Sequence, residues 1–116
     1  VNPTASVDTV AAGPNAGTIA VTSSWANCTG IDSVVIIVHS ETAGGVPNQL
    51  ITKTLPSPPA LNATGSWPTT VTGMTTGHVV TKVEVRVYPQ PAPGGGGQLL
   101  VAIAAGEKDN IRVTVP

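Results

Sequence analysis

The chain has 116 residues, five basic and six acidic, for a formal net charge of −1. That length suits one domain, residues 1–116, which buries enough surface to fold without a covalent staple. Only 9% of residues are charged, against about 25% in an average soluble domain, and no basic patch is present to neutralise phosphates, which argues against nucleic acid as a partner.

No apolar run approaches the ~20 residues that span a bilayer, so membrane insertion is not expected. Cys28 is the single cysteine, and no disulfide closes within one chain. No leader-like segment reads at the start; Val1 fits a native start, a cleaved leader or excision from a longer chain.

In chain order, residues 4–10 read as a first, edge strand, with Pro3 suited to its start. The turn-rich stretch 11–17 follows, then a second strand over 18–25 with Ile19, Val21 and Trp25 on one face. Residues 27–31 read as a loop. The run Val34-Val35-Ile36-Ile37-Val38 within 33–40 predicts a central strand covered on both sides. Residues 41–48, with Gly44, Gly45 and Pro47, form a turn, and 49–55 alternates as a strand. Pro56, Pro58 and Pro59 then interrupt regular structure, and 67–72 reads as a short strand.

The strongest local signal is Val79 to Val87. Val79, Thr81, Val83, Val85 and Val87 share one face, and Val80, Lys82, Glu84 and Arg86 share the other. Such alternation predicts an antiparallel strand buried on one side. The sequence Pro89 to Gly97 predicts a long hairpin loop, stiff in its proline half and loose in its glycine half. A strand over 98–105, a turn or bulge at Gly106–Asn110 and a last strand over 111–115 complete the pattern. Seven or eight short strands with turns between them predict an all-β, antiparallel β-sandwich. Ile19, Val21, Trp25, one of Val34 and Val35, Val83, Val85 and Val87 are its expected core.

Ile19-Ala20-Val21 followed by Trp25 resembles the Leu-x-Val…Trp second strand of fibronectin type III and related immunoglobulin-like modules. Gly73-Met74-Thr75-Thr76-Gly77 before the valine strand is similar to that family's Gly-Leu-x-Pro-Gly turn, with Thr76 at the proline position. Ile111 to Val115 is similar to its last strand. The family's corner tyrosine corresponds to Val80, which the alternation places on the outer face. The resemblance implies a spacer, adhesin or binding platform, and fold alone does not select among these.

The residues with chemical potential are few. His39 and Glu41 stand two apart, a spacing that could begin a metal site or the zinc deaminase motif, but the Pro-Cys-x-x-Cys that motif requires is missing. The plain reading is a strand end entering a turn. His78 has no sequence partner. Gly94 to Gly97 lacks the following Lys-Ser or Lys-Thr of a phosphate cradle, and no Gly-x-Ser-x-Gly elbow occurs. Asn27-Cys28-Thr29 and Asn62-Ala63-Thr64 match the glycosylation sequon, at a frequency that a Thr-rich chain gives by chance. No catalytic residue, metal ligand or cofactor site is assigned.

Residues 9–31, 54–81 and 87–106 carry no Asp, Glu, Lys or Arg. A surface of Thr, Ser, Asn and Gly repels its neighbours little and tolerates close packing. The expectation is a non-catalytic structural or interaction module of a larger surface assembly. Its setting is a virion decoration or capsid-associated protein, or a cell-surface filament. Its partners are other copies or a structural scaffold protein. The expected contact set is Trp67, Tyr88, Pro89, Pro91, Pro93, Gly94 and Gly95. The alternative is an extracellular carbohydrate-binding or adhesive module, with Trp67 stacking on a sugar.

Overall fold

A computed structural model describes residues 2–55, 63–89 and 101–116. Eight strands form: β1 (Thr4–Ala12), β2 (Ile19–Ala26), β3 (Ile31–Glu41), β4 (Pro47–Leu55), β5 (Gly65–Val71), β6 (Val79–Pro89), β7 (Ala104–Lys108) and β8 (Val113–Thr114). A three-stranded sheet, β1-β2-β5, faces a five-stranded sheet, β4-β3-β6-β7, in which β8 also pairs with β6. Every pairing is antiparallel. The chain is therefore the expected all-β sandwich.

Alternation places the core. On β2, Ile19, Val21, Ser23 and Trp25 point inward while Ala20, Thr22, Ser24 and Ala26 point out. On β3, Val34, Ile36 and Val38 are fully buried in the core, and Val34 rather than Val35 supplies the expected contact. Val83, Val85 and Val87 face them from β6. Ile37 is buried as well but lies outside this cluster, on the opposite face of β3. Among the described residues, Ser23 Oγ and Ser40 Oγ are buried without a hydrogen-bond partner.

The valine strand departs from simple alternation at its start. His39 opposes Lys82, yet Ser40 opposes Val80, so Thr81 is an extra residue in a β-bulge. The bulge reverses the faces below it. Val80 turns into the core at 0% exposure, whereas the alternation had assigned it to the outer face. Thr81 is half-buried, and Val79 is buried outside the core cluster.

The C-terminal segment also differs from the expected pattern. Val101 to Ile103 is not strand, and β7 begins at Ala104 and continues to Lys108, through the stretch expected to turn. Gly106 serves close packing there. A Cβ at Gly106 would overlap the Ala5 carbonyl oxygen and stand 2.9 Å from Ala5 C and 3.0 Å from Ser6 Cα. The glycine lets β1 cross β7, which closes one side of the sandwich. The last strand is shorter than expected, because β8 holds only Val113 and Thr114. The expected interruption at Pro56, Pro58 and Pro59 and the start of the expected strand over 98–105 lie outside the described residues.

β1 starts at the pole formed by Ala26, Ile31 and Pro89. β8 ends at the opposite pole, where Gly17 and Gly77 donate to the Pro116 and Val115 carbonyls at 2.7 and 3.0 Å.

Candidate functional site

Two features group polar or accessible side chains: the outer face of the larger sheet, and the pole at which β2, β3, β5 and β6 meet their loops.

The outer face owes its arrangement to strand register. Residues at alternate positions of β6 (Lys82, Glu84 and Arg86) stand opposite His39, Ile37 and Val35 of β3. β7 brings Glu107 opposite Glu84 and Ala105 opposite Arg86. His39 Nε2 donates to Glu84 Oε2 at 2.6 Å, and Arg86 donates to Glu84 Oε1 at 3.2 Å. The Glu84 side chain is 17% exposed and is the centre of the array. Its carboxyl is held below the usual range, first by the His39 hydrogen bond and then by Arg86, against the opposing effect of burial. Tyr88 and Glu84 together raise the Arg86 guanidinium further. Lys82 pairs with Glu107 at 3.3 Å and Arg112 with Glu41 at 3.6 Å. These exposed pairs contribute little stability.

The expected His39–Glu41 spacing therefore resolves into two separate pairs. His39 bonds Glu84, and Glu41 reaches Arg112, with Ser40 buried between them. His39 opposes Lys82, four residues along β6 from His78, so strand rise separates the two backbones by roughly 10–13 Å. Among the described residues no three His, Cys, Asp or Glu side chains converge as a metal set.

The Glu84 array gives a prediction for acid. A carboxyl whose folded-state pKa lies below its unfolded value stabilises the fold above the unfolded pKa of about 4.3, and the benefit fades as pH falls through the folded one. Glu84→Gln should cost about 1–2 kcal/mol at neutral pH, the scale of a charge-assisted hydrogen bond. It should also flatten the acid limb of the stability curve. Urea midpoints from neutral pH down to below 4 check this; parallel curves for the two proteins would contradict it.

The pole is tied by backbone bonds. Cys28 N–H donates to the Ala63 carbonyl at 2.8 Å, and Asn27 N–H donates to Thr64 Oγ1 at 3.2 Å. The two sequons are thus joined across the β2–β3 turn, in which Asn27 is exposed with φ of 59°. Cys28 itself is fully buried. Burial pushes its thiol pKa up, while Sγ bonds to the Ala26 and Thr4 carbonyls act against that. Cys28 is thus a buried thiol in the loop between β2 and β3.

Of the expected contact residues, Tyr88 and Pro89 lie at this pole, half-buried at the end of β6. Trp67 stands opposite Ser23 on the inward-facing register of β5 and packs, partly buried, against the core. Trp67 and Tyr88 therefore belong to different sheets and different faces. Pro91, Pro93, Gly94 and Gly95 lie outside the described residues. Val101, 81% exposed, was not singled out by sequence reasoning, because one valine in an apolar run shows no distinguishing period.

A third surface has the opposite character. Of all the charged residues only Asp8 lies on the three-stranded sheet. Its carboxylate accepts hydrogen bonds from Ser6 Oγ at 2.9 Å and Ser24 Oγ at 3.1 Å. The rest of that outer face is Thr4, Thr9 and Ala11 of β1, Ala20, Thr22 and Ala26 of β2, and Ser66, Pro68 and Thr70 of β5. The long uncharged segments of the sequence hold this signal, but only the register gathers them onto one face.

Compared with protein-family models, curated proteins and solved structures, the chain matches none of them.

Proposed function

We propose that this chain is a non-catalytic structural and interaction module of a larger surface assembly, such as a virion decoration or capsid-associated protein or a cell-surface filament component. One observation carries the reading: the outer face of β1-β2-β5 has a single charged side chain, and two serines already engage it. Such a face loses little solvation when another protein covers it. Charge is concentrated instead on the other sheet, which keeps the module soluble.

The strand order supports the finer resemblance. β1-β2-β5 against β4-β3-β6-β7, with β8 continuing beside β6, corresponds to the A-B-E and C′-C-F-G sheets of a fibronectin type III-like module. Tyr88 and Pro89 at the pole, with the 91–97 segment, form a second contact region in this reading.

Charging the bare face tests the proposal. Thr22 and Ser66 lie on neighbouring strands of it. Sedimentation velocity of the full chain at rising concentration should show association that persists from low to high salt, since few charges are involved. Thr22→Lys with Ser66→Lys should remove the step of association made through this face and leave the melting temperature within a few degrees. A wild-type chain that remains monomeric, or a charged variant that associates equally well, would count against the proposal.

A further inference from the structure

The described strands leave four sheet edges, and three of them are blocked. β1 has a bulge at Asp8, where the register shifts between Val7 and Thr9, and its Ala5 backbone packs on Gly106 of β7. The β7–β8 edge is broken between Lys108 and Val113 and carries Glu107, Lys108, Asp109 and Arg112. β5 is seven residues long with Pro68 in its middle, which removes a backbone donor. Bulges, charges, interruptions and proline are the devices by which sheets avoid joining one another.

β4 has two of them, Pro47 and a register shift at Asn48, both confined to its first end. It is nine residues long and pairs with β3 in unbroken register from Val34 opposite Leu55 to Ser40 opposite Gln49. Among the described elements its other edge has no partner strand. Between Asn48 and Leu55 it contains no proline and one charge, Lys53. Ile51, Thr52 and Thr54 favour extended structure.

We infer that β4 is a strand-pairing edge and that its partner is β4 of a second copy of this chain, running antiparallel about a two-fold axis at Ile51. That register pairs Gln49 through Lys53 across Ile51 opposite Ile51, and brings Pro47, next to the register shift at Asn48, opposite Leu55 at the ends. It puts Lys53 opposite Gln49, so the two lysines do not face each other, as a centre at Lys53 would require. A net charge of −1 opposes the approach of two copies very little. A two-fold contact is closed, so it yields a dimer and no open filament by itself. The inference rests on the interaction-module reading and adds a second, separate surface to it.

The test uses the full chain with Thr22→Lys and Ser66→Lys, so that loss of the bare-face contact leaves the edge readout intact. Sedimentation should give a dimer of twice the 11.6 kDa chain mass. Ile51→Cys in that background should form a disulfide-linked dimer under mild oxidation. Residues opposite each other lie about 4.5–5.5 Å apart at Cα, within disulfide range. Gln49→Cys should link more slowly by roughly tenfold or more, because its own copy lies four residues away along the strand. Cys28, fully buried, serves as the silent control. Amide exchange in β4 should slow as concentration rises, a readout that needs no substitution in the strand. A monomer at all concentrations, or equal linking at 49 and 51, would overturn the inference. So would β4 protection that appears only when an unrelated extended peptide is added. Edge pairing that persists while the wild-type chain shows no salt-insensitive further association would overturn the bare-face reading alone.

Discussion

Trp25→Ala should lower the stability of the domain by about 3–5 kcal/mol, the cost of removing a large aromatic from a packed core. Domains of this size are stable by only 5–15 kcal/mol in general, so the variant stands close to unfolding at room temperature. The expectation follows from composition as much as from burial. The chain has no Phe, and Trp25 is the one aromatic among the buried core residues of the described chain. The other core side chains are valines, isoleucines, one methionine (Met74) and smaller groups, none with the volume of an indole. Gly65, opposite Trp25, shows how closely the ring is fitted. A Cβ there would lie 2.8 Å from Cζ2 of the indole. Gly65→Ala should therefore cost about 1–3 kcal/mol on its own, and much less in the Trp25→Ala background, where the clash no longer exists. Urea midpoints of the four proteins, at constant slope, measure both effects. A loss below about 1 kcal/mol for Trp25→Ala, or strict additivity of the pair, would show that the ring is not central to this core.

The core was legible in the sequence because period-two patterning is a local property. Ile19, Val21 and Trp25 read directly as one face, and Val83, Val85 and Val87 as another. Val80 was misplaced because the bulge at Thr81 is set by pairing with β3, and nothing in Val-Val-Thr-Lys announces it. Val34 and Val35 could not be separated in a continuous apolar run. Register decides between them, by facing Val34 against Val87 on the inner side. The chemistry of the larger sheet was illegible for a related reason. Glu84 is 45 residues from His39, so sequence proximity offered Glu41 instead. The bare face of the smaller sheet was half-legible. The long uncharged stretches were plain, but β1, β2 and β5 come from three separate segments that only the fold makes adjacent. Trp67 reads as an exposed platform beside Pro68, yet its register opposite Ser23 turns it toward the core.

Gly106 is the position where sequence reading and structure part most sharply, and it carries the second large prediction. Glycine between Ala105 and Glu107 resembles a turn signal, and the sequence reads as a turn or bulge there. In the fold it sits inside β7, opposite Val85, with β1 lying directly over it. Its φ is not in the left-handed region, so alanine meets no backbone strain at this site. On conformational entropy alone Gly106→Ala should stabilise by about 0.4–1 kcal/mol. Sterics oppose this and should win. The added methyl would overlap the Ala5 carbonyl oxygen and press on Ala5 C and Ser6 Cα, which are backbone atoms with no rotamer to change. Overpacking of this kind costs about 1–3 kcal/mol, and Gly106→Val should reach the top of that range or exceed it. The loss should also be local in character. β1 is held by β2 on one side and by β7 beneath it, so amide exchange should accelerate in Thr4 to Val7 while β3 and β6 keep their protection. Gly106→Ala at wild-type stability, or uniform loss of protection across both sheets, would mean that the crossing of β1 over β7 does not close the sandwich.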